Sequence, residues 1–196
     1  MAENLKGMRV AILVTDGFEQ AELSEPKAAL DKAGATTVVV SMKSGEVQGF
    51  KHTDKAEKVK VDKIFDQVDP EDFDAVLLPG GVVNADALRV VPKAQQFVKA
   101  IDRARKPIAV ICHGGWLLVS AGLMDGRRMT SWPTLQDDIR NAGGEWTDAE
   151  CIRDRNWVSS RKPDDIPVFN REMLGLFGET RVQKGAEART EARPGR

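Results

Sequence analysis

Between Lys106 and Gly122 the chain reads K-P-I-A-V-I-C-H-G-G-W-L-L-V-S-A-G, an apolar run that stops at Cys112 and His113 before a second apolar run begins. Ile108 to Cys112 is β-branched and apolar on both faces, the pattern of a buried parallel strand. Gly114 and Gly115 break the strand, and Trp116 to Ala121 reads as a short helix stopped by Gly122. Few folds accept such a unit. It needs a sheet covered on both faces, and it places Cys112 at a strand-to-helix turn.

A residue at such a turn is held in a strained backbone conformation with its side chain pushed out at the carboxyl end of the sheet. The free N–H groups of the following turn can lower a thiol pKa and hold a developing oxyanion. His113 stands next to it as a base. Taken alone, Cys112 fits equally a small apolar residue that ends a buried strand.

The rest of the chain repeats the alternation of strand and helix. Met8 to Thr15 reads as a first buried strand, closed by Asp16-Gly17-Phe18. Glu19 opens a helix to about Ala33, and Thr36 to Ser41 is the next strand, giving a right-handed parallel βαβ unit. Val47 to Val61 is polar with weak alternation and reads as a hairpin or edge excursion. Phe73 to Pro79 is another buried strand, and it ends in Gly80-Gly81 at the same sheet edge as Cys112. No G-x-G-x-x-G or P-loop pattern accompanies these glycines. Pro92 to Arg105 reads as an amphipathic helix. A short strand near Arg128 to Ser131, a helix from about Thr134 and a hairpin turning at Asp154-Arg155-Asn156 follow. Pro163 to about Phe177 closes the domain. The fold class read from this order is α/β: a three-layer sandwich with a flavodoxin-like, mostly parallel sheet, helices on both faces and a nucleophile elbow. Residues 1–177 form one domain. From Gly178 to Arg196, Val182 is the only aliphatic residue larger than alanine, so a disordered charged tail is expected.

Composition narrows the function. The net charge of −1, with both signs mixed along 196 residues, is not that of a nucleic-acid binder. No stretch approaches the ~20 apolar residues of a membrane span and the start lacks an apolar leader, so a cytoplasmic location is expected. Cys112 and Cys151 are the only cysteines and there are two histidines, which gives neither a disulfide framework nor a metal site. No cofactor is expected.

The set L-L-P-G-G (Leu77 to Gly81), I-C-H-G (Ile111 to Gly114), T-S-W-P (Thr130 to Pro133), D-D-I-R-N-A-G (Asp137 to Gly143) and N-W-V-S-S-R (Asn156 to Arg161) resembles the PfpI-type intracellular protease and stress-protein family. That family lies within the class I glutamine-amidotransferase-like superfamily. The resemblance implies Cys112 as nucleophile, His113 as its adjacent base and Glu19 as the acid lying beside the thiol. It also implies an oxyanion hole from the backbone N–H groups of Gly81 and His113. Asp86 is the match for an acid that a neighbouring subunit contributes to a triad, so at least a homodimer is implied. Implied activities are action on α-oxoaldehydes and their protein adducts, with small carbonyl compounds or modified proteins as partners. The alternatives are a non-catalytic redox sensor or chaperone, and a cysteine peptidase.

Overall fold

The computed structural model describes residues 4–191, backbone only beyond residue 182. In chain order the elements are β1 (Arg9–Leu13), β2 (Phe18–Glu19), α1 (Gln20–Lys32), β3 (Thr36–Ser41), β4 (Glu46–Lys51), β5 (Asp54–Lys60), β6 (Lys63–Ile64) and β7 (Ala75–Leu78). Then come α2 (Val82–Arg89), α3 (Pro92–Arg103), β8 (Ile108–Ile111), α4 (Gly115–Ser120), β9 (Arg128–Met129) and α5 (Gln136–Asn141). The chain closes with β10 (Glu145–Trp146), β11 (Cys151–Asp154), β12 (Trp157–Ser160) and α6 (Ile166–Glu191).

Seven strands form the central sheet in the order β11-β12-β8-β7-β1-β3-β6. All neighbours are parallel except β11 against β12. Apolar side chains on both faces of these strands require cover on both sides. One core joins the sheet to α1 and α6 through Leu23, Leu30, Phe169 and Phe177. The other joins it to α2, α3, α4 and α5 through Leu88, Phe97, Leu118 and Ile139. The architecture is therefore the three-layer α/β sandwich read from the sequence. The Val47 to Val61 segment is a hairpin, β4 with β5, in a separate small sheet with β2.

From β1 the chain steps to β3 on one side, then returns to β7 on the other. Ligands of open α/β sheets bind at such a reversal, outside the carboxyl ends of the strands. The ends of β1, β7 and β8 meet there and bring Asp16-Gly17, Gly80-Gly81 and Cys112 together. At the opposite edge Asp102 accepts hydrogen bonds from Arg127 at 2.6 Å, Trp157 Nε1 at 2.7 Å and Asn156 at 3.1 Å, which pins α3 to the start of β12.

One element was not read from the sequence, and one expectation changes. Val82–Arg89 is a helix that the β-branched Val82-Val83 pair concealed. The expected tail does not begin at Gly178, because α6 continues to Glu191. Arg153 on β11 grips Glu179 through two hydrogen bonds, and Arg181 donates to the Asn4 carbonyl, so contacts other than apolar burial hold this part of the helix. Residues 192–196 of that tail lie outside the described residues. Among the described residues no helix is long and apolar enough to cross a membrane.

Candidate active site

Cys112 follows β8 directly, in left-handed backbone conformation with φ 60°. That strain belongs to a turn which must redirect the chain from strand into helix within one residue. Gly114 permits it, because a Cβ there would lie 2.5 Å from the Leu78 carbonyl oxygen. The sulfur receives the backbone N–H groups of Gly81 and His113, and lies 3.2 Å from His113 Nδ1. The structure thus brings Cys112, His113 and Gly81 to one point.

The acid at the sulfur is Glu22, and this corrects the placement of Glu19. Glu22 is fully buried, lies beside the Cys112 thiol and accepts the Gly80 N–H at 2.8 Å. Glu19 sits one helical turn earlier. Its half-buried carboxylate turns outward and accepts the His52 N–H at 3.0 Å. The sequence does carry a signal for Glu22. It falls among the inward positions of α1 with Leu23, Pro26 and Leu30, where a carboxyl would otherwise be out of place.

Burial pushes the Glu22 pKa up to about 8, the bonds to Cys112 and Gly80 oppose the rise, and the Glu19 charge adds to it. Glu22 is therefore protonated near neutral pH. Burial also pushes the Cys112 thiol well above its ordinary value, and the Glu22 charge raises it further against the pull of the two backbone N–H groups. The depressed thiol pKa expected of an elbow is thus overridden by burial in the resting site. The two groups titrate as a pair that carries at most one negative charge through the neutral range. Burial lowers His113 to about 4, so its imidazole is neutral near pH 7. Cys151, half-buried, is pushed by burial up to about 12, and the Glu172 charge adds to the rise.

His113 is held by aromatic rings. Trp132 stacks on it with centroids 5.9 Å apart, and Trp116 meets it edge-on at 5.2 Å. The Trp132 N–H donates to the Cys112 carbonyl, which ties the T-S-W-P segment to the elbow. Asn84, a residue the sequence reading passed over, is fully buried and braces the other wall. Its Oδ1 accepts from Thr15 N at 2.7 Å, while its Nδ2 donates to the Pro79 and Gly80 carbonyls. Asp86 is exposed on α2 and is not brought to His113. Among the described residues, no carboxylate hydrogen-bonds the His113 ring.

These groups open onto a cleft of about 770 Å³, walled by Phe50 and His52 of the β4–β5 hairpin, by Val82 and Val83 of α2, and by Trp132 and Pro163. The fold and site define a class: an α/β sandwich with a cysteine elbow and a buried carboxyl at the thiol. Residues 8–176 match the DJ-1/PfpI family, and the chain belongs to that family. It is 44% identical over 170 residues to a deglycase of Thermococcus kodakarensis, covering 87% of this chain and 99% of that one. It is 40% identical over 173 residues to general stress protein 18 of Bacillus subtilis, covering 87% and 98%. Among solved structures it resembles a two-domain protein of Anabaena variabilis with DJ-1/ThiJ/PfpI-like and ferritin-like domains. That match has a TM-score of 0.83 and 29% identity, and covers 87% of this chain and 48% of the other.

Proposed function

We propose that the protein is a cysteine-dependent hydrolase-type enzyme that removes α-oxoaldehyde adducts from protein amines and thiols. The observation that carries this reading is the Cys112 sulfur, held between two backbone N–H donors, a neutral imidazole and a protonated carboxyl at the floor of an open cleft. The relatives named as deglycases support the substrate class.

As Sγ bonds to the former aldehyde carbon of the adduct, His113 Nδ1 takes the thiol proton. The bond from that carbon to the protein amine breaks, and the amine leaves with the proton. A proton then moves from this carbon to the neighbouring carbonyl carbon through an enediol. The first carbon is oxidised and the second reduced, so no outside electron carrier is required. The product is a thioester on Cys112. Water attacks it, the Gly81 and His113 N–H groups hold the oxyanion, and a 2-hydroxy acid leaves as the thiol re-forms. Glu22 and His113 are the groups beside the sulfur that can pass these protons.

Assay of wild type and Cys112→Ala with methylglyoxal, a methylglyoxal-treated peptide and casein tests the proposal. Wild type should release free amine and 2-hydroxy acid from the treated peptide, and Cys112→Ala should fall to background. Equal rates would overturn it. Casein cleavage without adduct turnover would assign a peptidase, and inactivity on all three would favour an oxidisable sensor cysteine.

The proposal includes a homo-oligomer. Val82, Val83 and Val90 are 53%, 64% and 72% exposed around α2, an apolar strip suited to a second copy. Asp86 lies on the same helix and would supply, from that copy, the acceptor His113 lacks. Light scattering should give a dimer or larger at micromolar concentration, and Asp86→Ala should lower turnover about tenfold. A monomer mass, or full turnover by the variant, would remove Asp86 from the site.

A further inference from the structure

With the sulfur's acid identified as Glu22, Glu19 is left lining the reaction cleft without a part in the chemistry. Its surroundings define a charge preference. Among the described residues it has no ion-pair partner, and its carboxylate accepts one backbone N–H, from His52. The other ionised acid of the cleft, Asp16, is already bound to Lys43 and to the Gln48 N–H. Glu22 and His113 are neutral near pH 7. Glu19 is also near enough to raise the pKa of Glu22, and Lys55, the cation of the cleft, stands exposed on the hairpin β5. The unbalanced charge close to the sulfur is therefore negative.

The walls add a shape. Phe50 of the hairpin, the exposed Trp132 stacked on His113, and the exposed Val82 and Val83 of α2 all line the cleft. A planar cation on an aliphatic stem suits this arrangement. Aromatic faces receive the plane, apolar surface covers the stem, and a carboxylate with free lone pairs takes two parallel N–H bonds. An α-oxoaldehyde adduct on arginine keeps the guanidinium charge, while the corresponding adduct on cysteine is neutral.

We infer that Glu19 is a specificity-determining residue that selects α-oxoaldehyde adducts of arginine side chains over those of cysteine. This rests on the proposed function for its substrate class, though the selection is a binding property of the cleft and is measured apart from turnover.

Calorimetry on Cys112→Ala, which binds without reacting, would use acetyl peptides of one sequence bearing a methylglyoxal adduct on arginine or on cysteine. The arginine adduct should bind about tenfold more tightly, and Cys112→Ala/Glu19→Gln should bind the two within about twofold. Equal binding by Cys112→Ala, or a preference that survives Glu19→Gln, would overturn the assignment. In the active protein, Glu19→Gln should raise KM for the arginine adduct about tenfold more than KM for the cysteine adduct. A wild type that shows the binding preference but turns over neither peptide would refute the proposed function and leave the assignment of Glu19 standing.

Discussion

Gly80→Ala should reduce turnover by on the order of 100-fold while the chain stays folded, because the missing side chain is what allows the site to close. A Cβ at this position would lie 2.6 Å from Cys112 Cβ and 3.0 Å from Sγ, and would overlap Glu22 Oε2. None of these atoms has room to retreat. Cys112 is bound by its strained turn, and Glu22 is buried on the inner face of α1 and accepts the Gly80 N–H. Relief must come from moving the glycine turn outward, which withdraws the Gly81 N–H from the sulfur and breaks the contact that Asn84 maintains with the Gly80 carbonyl. Gly122→Ala is the matched control. It also ends a structural unit, with φ 68°, but a Cβ there meets nothing within 4 Å. It should cost about 1 kcal/mol of stability from backbone strain and leave kcat unchanged. Wild-type kinetics in Gly80→Ala would mean that Glu22 and Cys112 do not act as one clamped pair.

The sequence made the elbow legible because its signals are local. An apolar strand that ends abruptly, a cysteine and two glycines leave few backbone options, and the φ of Cys112 follows from them. The mostly parallel sheet was legible for a similar reason, since buried runs separated by helix-length segments favour parallel neighbours. The acid beside the sulfur was harder: the resemblance implied Glu19, and the structure has Glu22 there. Both lie near the start of α1, one turn apart, and the choice depends on where that helix begins. With Glu19 as cap and Gln20 as first residue, Glu22 faces inward with Leu23. A two-residue uncertainty in a helix start exchanges an inner carboxyl for an outer one.

Two other features depended on contacts between distant residues. Asn84 appears in V-V-N-A-D as an ordinary polar residue, and its role exists only because Thr15, in the loop after β1, lies against α2. The continuation of α6 past Gly178 depends on Arg153 of β11 reaching Glu179. Low apolar content argued against order there, but an ion pair 26 residues apart in sequence is invisible to composition.

Glu22→Gln should lower kcat roughly 100-fold and, in the same variant, remove a pH dependence of stability. The amide keeps the size of the carboxyl and can still donate an N–H to sulfur, but it cannot release and recover a proton. If Glu22 only filled space beside the thiol, the substitution would be nearly silent. Its stability signature runs opposite to that of an ion-paired acid. Burial raises the folded-state pKa from 4.5 to about 8, so the folded chain holds this proton more tightly than the unfolded chain does. The resulting stabilisation is complete below the unfolded value and is lost as pH rises through the folded one. Between about pH 4.5 and pH 8 the wild type should therefore lose stability relative to Glu22→Gln, by on the order of 5 kcal/mol at the upper end. Urea midpoints of the two proteins at pH 5 and pH 9 measure the difference, since every other titrating group is common to both. Turnover should decline over the same upper range, because an ionised Glu22 opposes charge on the adjacent sulfur. Parallel stability profiles would show that Glu22 carries its charge at neutral pH, and the proton relay assigned to it would fail with that result.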